Sequence, residues 1–297
     1  ANSLDTVSRP LLDRMEIIEL SGYTSNEKFH IAKDYLVKKS MKNNGLDDND
    51  LTISDDAIEA VIGYYTREAG VRKLEQQIGK ICRKAVKKLL ENTERPIEVT
   101  KQNLEEYLGK ERFHFEKMNE QDEIGVARGL AWTSVGGDTL SIEVNVMPGS
   151  GKVELTGKLG DVMKESAMAA ISYIRANSQK LGIAENFHKT KDIHIHAVPK
   201  DGPSAGITMA TAVVSALTKN PVRNDIAMTG EITLRGRVLP IGGLKEKSLA
   251  AFRAGITDII IPNENKADID DVPKEVRSKI NFIPVKSMDT VLENALR

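Results

Sequence analysis

Lys200-Asp201-Gly202-Pro203-Ser204-Ala205-Gly206 is followed at once by helix-forming residues: Ile207, residues 209–212 and Leu217. Gly202 to Gly206 matches the G-x-S-x-G string, in which a serine occupies a sharp turn between strand and helix. Small neighbours let a peptide carbonyl approach Ser204. The helix that begins behind it offers unpaired backbone N–H groups and a dipole, which together stabilise an oxyanion. A plain N-cap serine fits the same residues equally well. Enzymes built on that elbow need an acid and then a histidine downstream of the serine. None follows Ser204, since the histidines stand at 30, 114, 188, 194 and 196. The α/β-hydrolase triad is therefore excluded. The base for a nucleophilic Ser204 would be His194 or His196 from upstream, or a lysine.

Around this loop, strands and helices alternate. Residues 140–146 alternate apolar and polar, as a half-buried strand does. Residues 153–156 read as their hairpin partner across Pro148-Gly149-Ser150-Gly151. A helix follows from about 161 to 180, then a strand at 193–196, a helix at 205–217 and strands at 226–229 and 238–241. A helix at 245–254 is stopped by Gly255. Strands at 259–261 and 282–285 and a helix at 288–296 complete a compact α/β domain. His194 and His196 are two apart in a strand and share a face. With Cys82 distant and no histidine after them they make half a zinc site, so no metal is expected.

Upstream, residues 11–110 read as helices. Residues 24–39 are rich in helix formers, and Ser54 stands as an N-cap before Asp55 and Asp56. After Gly70, Val71, Leu74, Ile78, Ile81, Ala85 and Leu89 recur at steps of three and four and form one apolar face. Arg72, Lys73, Lys80, Arg83, Lys84, Lys87 and Lys88 fall mostly off that stripe. They read as a solvated face, with DNA contact as the alternative. The polar stretch 113–121 reads as a linker, which gives domains at 1–117 and 118–297.

With 297 residues, 40% hydrophobic and 29% charged, the chain has the profile of a soluble globular protein of two domains. A net charge of -1 gives no basic excess for nucleic acid or an anionic membrane. The single cysteine, Cys82, suits a reducing compartment. No run approaches the ~20 apolar residues of a membrane span, and no secretory signal is visible. The start at Ala1, without a Met, suggests a piece of a longer protein. Gly149-Ser150-Gly151-Lys152 is like the end of a phosphate-binding loop. However, Val146 stands where the first glycine belongs, and Val153 where the magnesium-ligating hydroxyl belongs. The stretch reads as a turn, and no independent ATPase activity is expected.

Several stretches together resemble the Lon protease family. Lys200 to Gly206 is similar to its active-site signature. So are Met228-Thr229-Gly230-Glu231-Ile232-Thr233-Leu234-Arg235-Gly236 and Leu239-Pro240-Ile241-Gly242-Gly243-Leu244-Lys245-Glu246-Lys247. Gly129-Leu130-Ala131-Trp132-Thr133, with Gly136-Gly137-Asp138, resembles the opening strand of the peptidase domain. Tyr64-Tyr65-Thr66-Arg67-Glu68-Ala69-Gly70-Val71-Arg72 resembles the helical subdomain of the AAA+ module, and Pro10-Leu11-Leu12-Asp13-Arg14-Met15-Glu16 the end of the ATPase core. The fold implied is α+β overall, with an N-terminal helical bundle followed by a compact α/β peptidase domain.

The resemblance implies an ATP-dependent serine endopeptidase with Ser204 as nucleophile and Lys247 as general base. Lys247 is singled out among many lysines by the resemblance alone. Gly242-Gly243 opens a helix that carries it, and Ile241, Leu244 and Leu249 supply the apolar surroundings that lower a lysine pKa from about 10.4. Thr229 matches the threonine that hydrogen-bonds this lysine, and Asp201 a residue that gates the nucleophile. Arg72 matches a nucleotide-sensing arginine, Asn2 the polar sensor of the ATPase core and Arg14 the finger that reaches a neighbouring subunit. The cofactor implied is ATP with magnesium in the full-length enzyme, and none for peptide cleavage by this chain. The partners implied are unfolded or damaged proteins and further copies in a hexameric ring, in a bacterial cytoplasm rather than a mitochondrial matrix. Between His196 and Lys200 the chain is about four residues shorter than the family pattern.

Overall fold

The computed structural model describes residues 7–18, 22–91, 95–113, 120–133, 136–198 and 201–297. Two compact units, Ala1–Phe113 and His114–Arg297, each enclose their own apolar core. Most of the expected linker, residues 114–119, lies outside the described residues. No helix among them is long and apolar enough to cross a membrane.

The first unit carries α1 (Arg9–Leu12), α2 (Ser25–Ile31), α3 (Val37–Asn43), α4 (Asp55–Ala60), α5 (Arg72–Leu90) and α6 (Leu104–Leu108). A π-helical turn at Ala32–Leu36 joins α2 to α3, and another at Val61–Tyr65 follows α4. Thr24 starts α2 with a capping box: Glu27 N donates to Thr24 Oγ1 at 3.0 Å, and Thr24 N to Glu27 Oε2 at 2.7 Å. Ser54 holds the N-cap position of α4, but its hydroxyl bonds the Asp56 carboxylate and the Val99 carbonyl rather than a backbone N–H of the helix. Leu74, Ile78, Ile81 and Ala85 of α5 are buried, as the stripe requires. Helices are not the whole of this unit. Strands β1 (Leu51–Ile53) and β2 (Ile97–Val99) pair in parallel. Three residues are too few for a period to show, and the partners lie far apart in sequence.

The second unit is built on β3 (Val126–Thr133), β4 (Gly136–Pro148), β5 (Val153–Thr156), β6 (Lys191–Ala197), β7 (Ile226–Met228), β8 (Glu231–Ile232), β9 (Val238–Leu239), β10 (Asp258–Pro262) and β11 (Asn281–Val285). Seven of them form one sheet in the order β11-β10-β7-β3-β4-β6-β5, while β8 and β9 form a small hairpin. The helices are α7 (Asp161–Ala176), α8 (Phe187–Thr190), α9 (Gly206–Thr218), α10 (Leu244–Ala254), α11 (Lys274–Arg277) and α12 (Met288–Ala295). Helices cover both faces of the sheet. Ala127 and Ala131 of β3 join the core shared with α7 and α9, while Leu130 joins the one shared with α10. Every residue of α9 from Gly206 to Ala216 is buried, which makes it the central helix of one layer.

The hairpin expected between residues 140–146 and 153–156 does not form. Strand β6 lies between them, antiparallel to β4 and parallel to β5. The turn wraps the start of β6 because Asp192 Oδ1 accepts the N–H groups of Ser150, Gly151 and Lys152 at 2.8, 2.9 and 2.8 Å. A nest of amides that could hold an external anion is filled by the chain's own carboxylate. Those amides also hold the Asp192 carboxyl below its ordinary pKa. Its stabilising contribution is present above the ordinary carboxylate pKa and is lost as pH falls through the lowered value. Asp192→Ala should therefore lower the melting temperature at neutral pH, and the gap should close in acid. Thermal melts followed by circular dichroism across that range check this.

Candidate active site

The ends of three neighbouring segments meet around Ser204. Strand β7 ends at Met228, and the next two residues bond in different directions. Thr229 N donates to Ile260 O of β10 at 3.1 Å, and Gly230 N donates to Ser204 O at 2.8 Å. Ser204 lies in a 3-10 turn, Pro203–Ala205, that runs into α9, and it is half-exposed. A β-carbon at Gly206 would sit 2.9 Å from the backbone nitrogen of Ile232, so this close approach needs a glycine.

Helix α7 holds the loop from the other side. Met163 N donates to Asp201 Oδ1 at 3.1 Å, and Ser166 Oγ donates to Pro203 O at 3.3 Å. Gly160, the N-cap of α7, has no side chain to give, so the Asp201 carboxylate caps the helix from a distance. Pro199 and Lys200 lie outside the described residues.

Lys247 sits in the first turn of α10 and is 2% exposed. Its Nζ donates to Thr229 Oγ1 at 3.0 Å. Thr229, fully buried, in turn donates to Ser204 O at 3.5 Å. A directional chain therefore runs from Lys247 through Thr229 to the backbone of Ser204. The ammonium bonds Thr229 rather than the Ser204 hydroxyl in this arrangement. Burial lowers the Lys247 pKa from its ordinary 10.5 to about 8, and no neighbouring charge contributes. Near pH 8 the side chain is half amine, and an amine accepts a proton.

Glycines seat the helix that carries Lys247. Gly243, its N-cap, has φ +70° and faces the ring of Trp132. A β-carbon at Gly137 of β4 would lie 1.8 Å from Glu246 O, so only glycine lets α10 rest on this strand. Nothing in the local sequence around Gly136-Gly137 marks this contact, because Glu246 is more than a hundred residues away.

The other candidates stand elsewhere. His194 Nε2 and His196 Nδ1 both meet Thr156 Oγ1, at 2.8 and 2.9 Å, and neither bonds Ser204. Among the described residues no group of three or more potential ligands could hold a metal. Arg72 and Arg14 are exposed in the first unit, and Asn2 lies outside the described residues. Glu68 already takes the first free amides of α5, with Lys73 N at 2.9 Å and Leu74 N at 2.8 Å. Among the described residues, two exposed arginines do not by themselves make a triphosphate site. Of the basic face of α5, Lys80 and Lys84 donate to the Leu108 and Glu106 carbonyls at 3.3 and 3.0 Å, and Lys88 pairs with the Glu106 carboxylate at 2.6 Å. These lysines staple α5 to the end of α6.

Comparison with known proteins adds two family matches. Residues 98–297 match the Lon protease (S16) C-terminal proteolytic domain, and residues 42–97 match the Lon protease AAA+ ATPase lid domain. The chain is 56% identical over 301 residues to Lon protease of Clostridium acetobutylicum, covering all of this chain and 39% of that protein. It is 58% identical to Lon protease of Clostridioides difficile, covering all of this chain and 38% of that protein. Against Lon protease 1 of Bacillus subtilis it is 57% identical, covering all of this chain and 39% of that protein. The chain thus spans less than two fifths of the length of these relatives. An alignment of 301 positions against 297 residues leaves the Clostridium protein at least four positions that this chain lacks.

Proposed function

The chain belongs to the Lon protease family, and on that premise we propose that it hydrolyses peptide bonds as a serine endopeptidase through a Ser204–Lys247 dyad. The observation that carries this is a lysine 2% exposed, with its amine 3.0 Å from Thr229 Oγ1. As a neutral amine Lys247 takes the Ser204 proton while Oγ attacks the peptide carbonyl carbon. The resulting oxyanion forms beside the start of α9, where the helix dipole favours negative charge. Of the amides at that junction, Gly206 N donates to Pro203 O and Ile207 N to Gly230 O at 3.2 Å, so the helix end acts through its dipole rather than through these two donors. Collapse of the tetrahedral intermediate breaks the C–N bond. Lys247 then protonates the leaving amine. Water attacks the acyl ester with Lys247 as base, and the Ser204 hydroxyl is restored. Thr229 accepts one amine hydrogen and so directs the lone pair. Asp201, tied to α7, sets the loop that presents Ser204, and release of that tie would gate the site.

The kcat/KM for an unstructured fluorogenic peptide should rise with pH, with a midpoint at about 8, because the active form of Lys247 is the neutral one. Rates measured from pH 6 to pH 10 check this. A limb near 6.5 would point to a histidine instead.

In a protein of its relatives' length, the substrates would be unfolded or damaged proteins and the assembly a hexameric ring in the bacterial cytoplasm, with ATP and magnesium supplying the energy for unfolding. Arg72, Arg14 and Asn2 would contact the nucleotide there, together with a phosphate-binding loop supplied by other residues. This chain should cleave short peptides without nucleotide and spare a stably folded protein. Degradation of a folded substrate without ATP would contradict that. Lys80, Lys84 and Lys88 of the basic face of α5 are bonded to α6, so DNA contact through that face would fall to Arg72, Lys73, Arg83 and Lys87.

A further inference from the structure

Asn265 lies in the 3-10 stretch Asn263–Asp271 that follows β10, and it is 4% exposed. Its Oδ1 accepts Ile241 N at 2.9 Å, and its Nδ2 donates to Ile241 O at 2.8 Å. The second Nδ2 hydrogen goes to Asp268 Oδ2 at 2.6 Å. The amide has only one sensible orientation. Reversed, it would set oxygen against two acceptors and nitrogen against a donor. Asn265 therefore grips both polar groups of one residue, as a neighbouring strand would, just after β9 has ended at Leu239.

Ile241 opens the segment Ile241-Gly242-Gly243 that leads into α10. Two successive glycines are the freest backbone a chain can have. A β-carbon at Gly242 would meet nothing within 4 Å, so the loop has no packing there to hold it. Helix α10 also lacks a side-chain N-cap bond. Yet Lys247 N makes a first-turn helical bond of α10, to Gly243 O at 3.1 Å. The place of Lys247 Nζ thus depends on where this loop is held. The same stretch of chain fixes the partner, because Ile260 O accepts Thr229 N at 3.1 Å. Residues 260–265 hold both ends of the Lys247–Thr229 bond.

We propose that Asn265 is a positioning residue of the peptidase reaction, which pins the entry to α10 and so sets the approach of Lys247 to Thr229 and Ser204. It touches no reacting atom. The inference rests on the Ser204–Lys247 reading. Without the amide, the Ile241 N–H and C=O lose their partners and turn toward water. The first turn of α10 follows, and water reaches Lys247. The charged groups on and against α10 are Lys245, Glu246 and Arg253 on the helix, Asp138 on β4, Asp268 in the 3-10 stretch and Lys274, Glu275 and Arg277 on α11, and the cause of the lowered proton affinity of Lys247 is its burial. Hydration therefore moves that affinity back up.

The test is peptide hydrolysis from pH 6 to pH 10 by the parent chain, Asn265→Ala, Asn265→Asp, Asp268→Ala and Lys247→Ala, each with a thermal melt. Asn265→Asp keeps an acceptor for Ile241 N but loses the donor to Ile241 O. For both Asn265 variants kcat should fall roughly 10- to 100-fold, as expected for a small misplacement of a catalytic group. KM should stay within about twofold, and the rising limb should move to higher pH as Lys247 is hydrated. Asp268→Ala leaves the clamp in place and should show a smaller change in the same direction. An unmoved limb in both Asn265 variants overturns the inference, including the case in which kcat falls only in step with the folded fraction. Retained activity in Lys247→Ala would instead overturn the dyad itself, so the two failures are distinguishable.

Discussion

Ser204→Ala and Lys247→Ala should each reduce turnover of an unstructured peptide on the order of 10³-fold or more, with folding preserved. Nucleophile and base act as a unit, so the double variant should be no worse than either single one. Lys247→Arg should be as inactive as Lys247→Ala. A guanidinium keeps the positive charge but does not deprotonate, so it cannot serve as a base. That comparison separates a base from a mere cation. Activity in Lys247→Arg near the parent level would mean that Lys247 supplies charge rather than proton transfer. Turnover by each variant, beside its melting curve, decides the matter.

The second large effect is on stability, with the opposite sign. The folded chain holds Lys247 at about 8, whereas the unfolded chain lets it keep its ordinary 10.5. Folding at neutral pH therefore works against a proton that the unfolded lysine holds freely. The penalty is fully present below about pH 8 and is relieved as pH rises through that value toward 10.5. Two to three pKa units correspond to about 3 kcal/mol. Lys247→Met fills the same space without a charge, so it should be silent as an enzyme yet more stable at pH 7. A gain of that size in a unit of this length raises Tm by roughly 5 to 10 °C. Thr229 keeps its bond to Ser204 O, so little is orphaned by the change. A melting temperature at or below that of the parent would mean that Lys247 is not desolvated.

The serine loop was legible as a string, since G-x-S-x-G before a helix marks a turn at a helix start, but not that Gly206 N and Ile207 N would be taken by Pro203 O and Gly230 O. The absence of a downstream histidine was equally plain and ruled out one whole class of triad. The base was not legible from local residues. Lys247 differs from other lysines only in being buried against Thr229, and that follows from α10 lying on β4 at Gly137. The pairing of β5 was misread for a related reason. A glycine-rich turn suggests that flanking strands pair, but β6 arrives from a distant part of the chain and takes both edges. Asp192, which fixes that turn, stands far from it in sequence. Strands β1 and β2 were missed because each has three residues and a remote partner. Asn265 carried no signal at all, because a buried asparagine and a surface one look alike until the fold brings Ile241 beside it.

The most direct measurement is covalent labelling of Ser204 by a fluorophosphonate, located by peptide mass spectrometry and timed as a function of pH. Labelling should fall on Ser204 alone, its rate should rise with a midpoint at about 8, and Lys247→Ala should lose it. An adduct on a different serine, or a Ser204 rate unchanged by Lys247→Ala, would contradict the dyad.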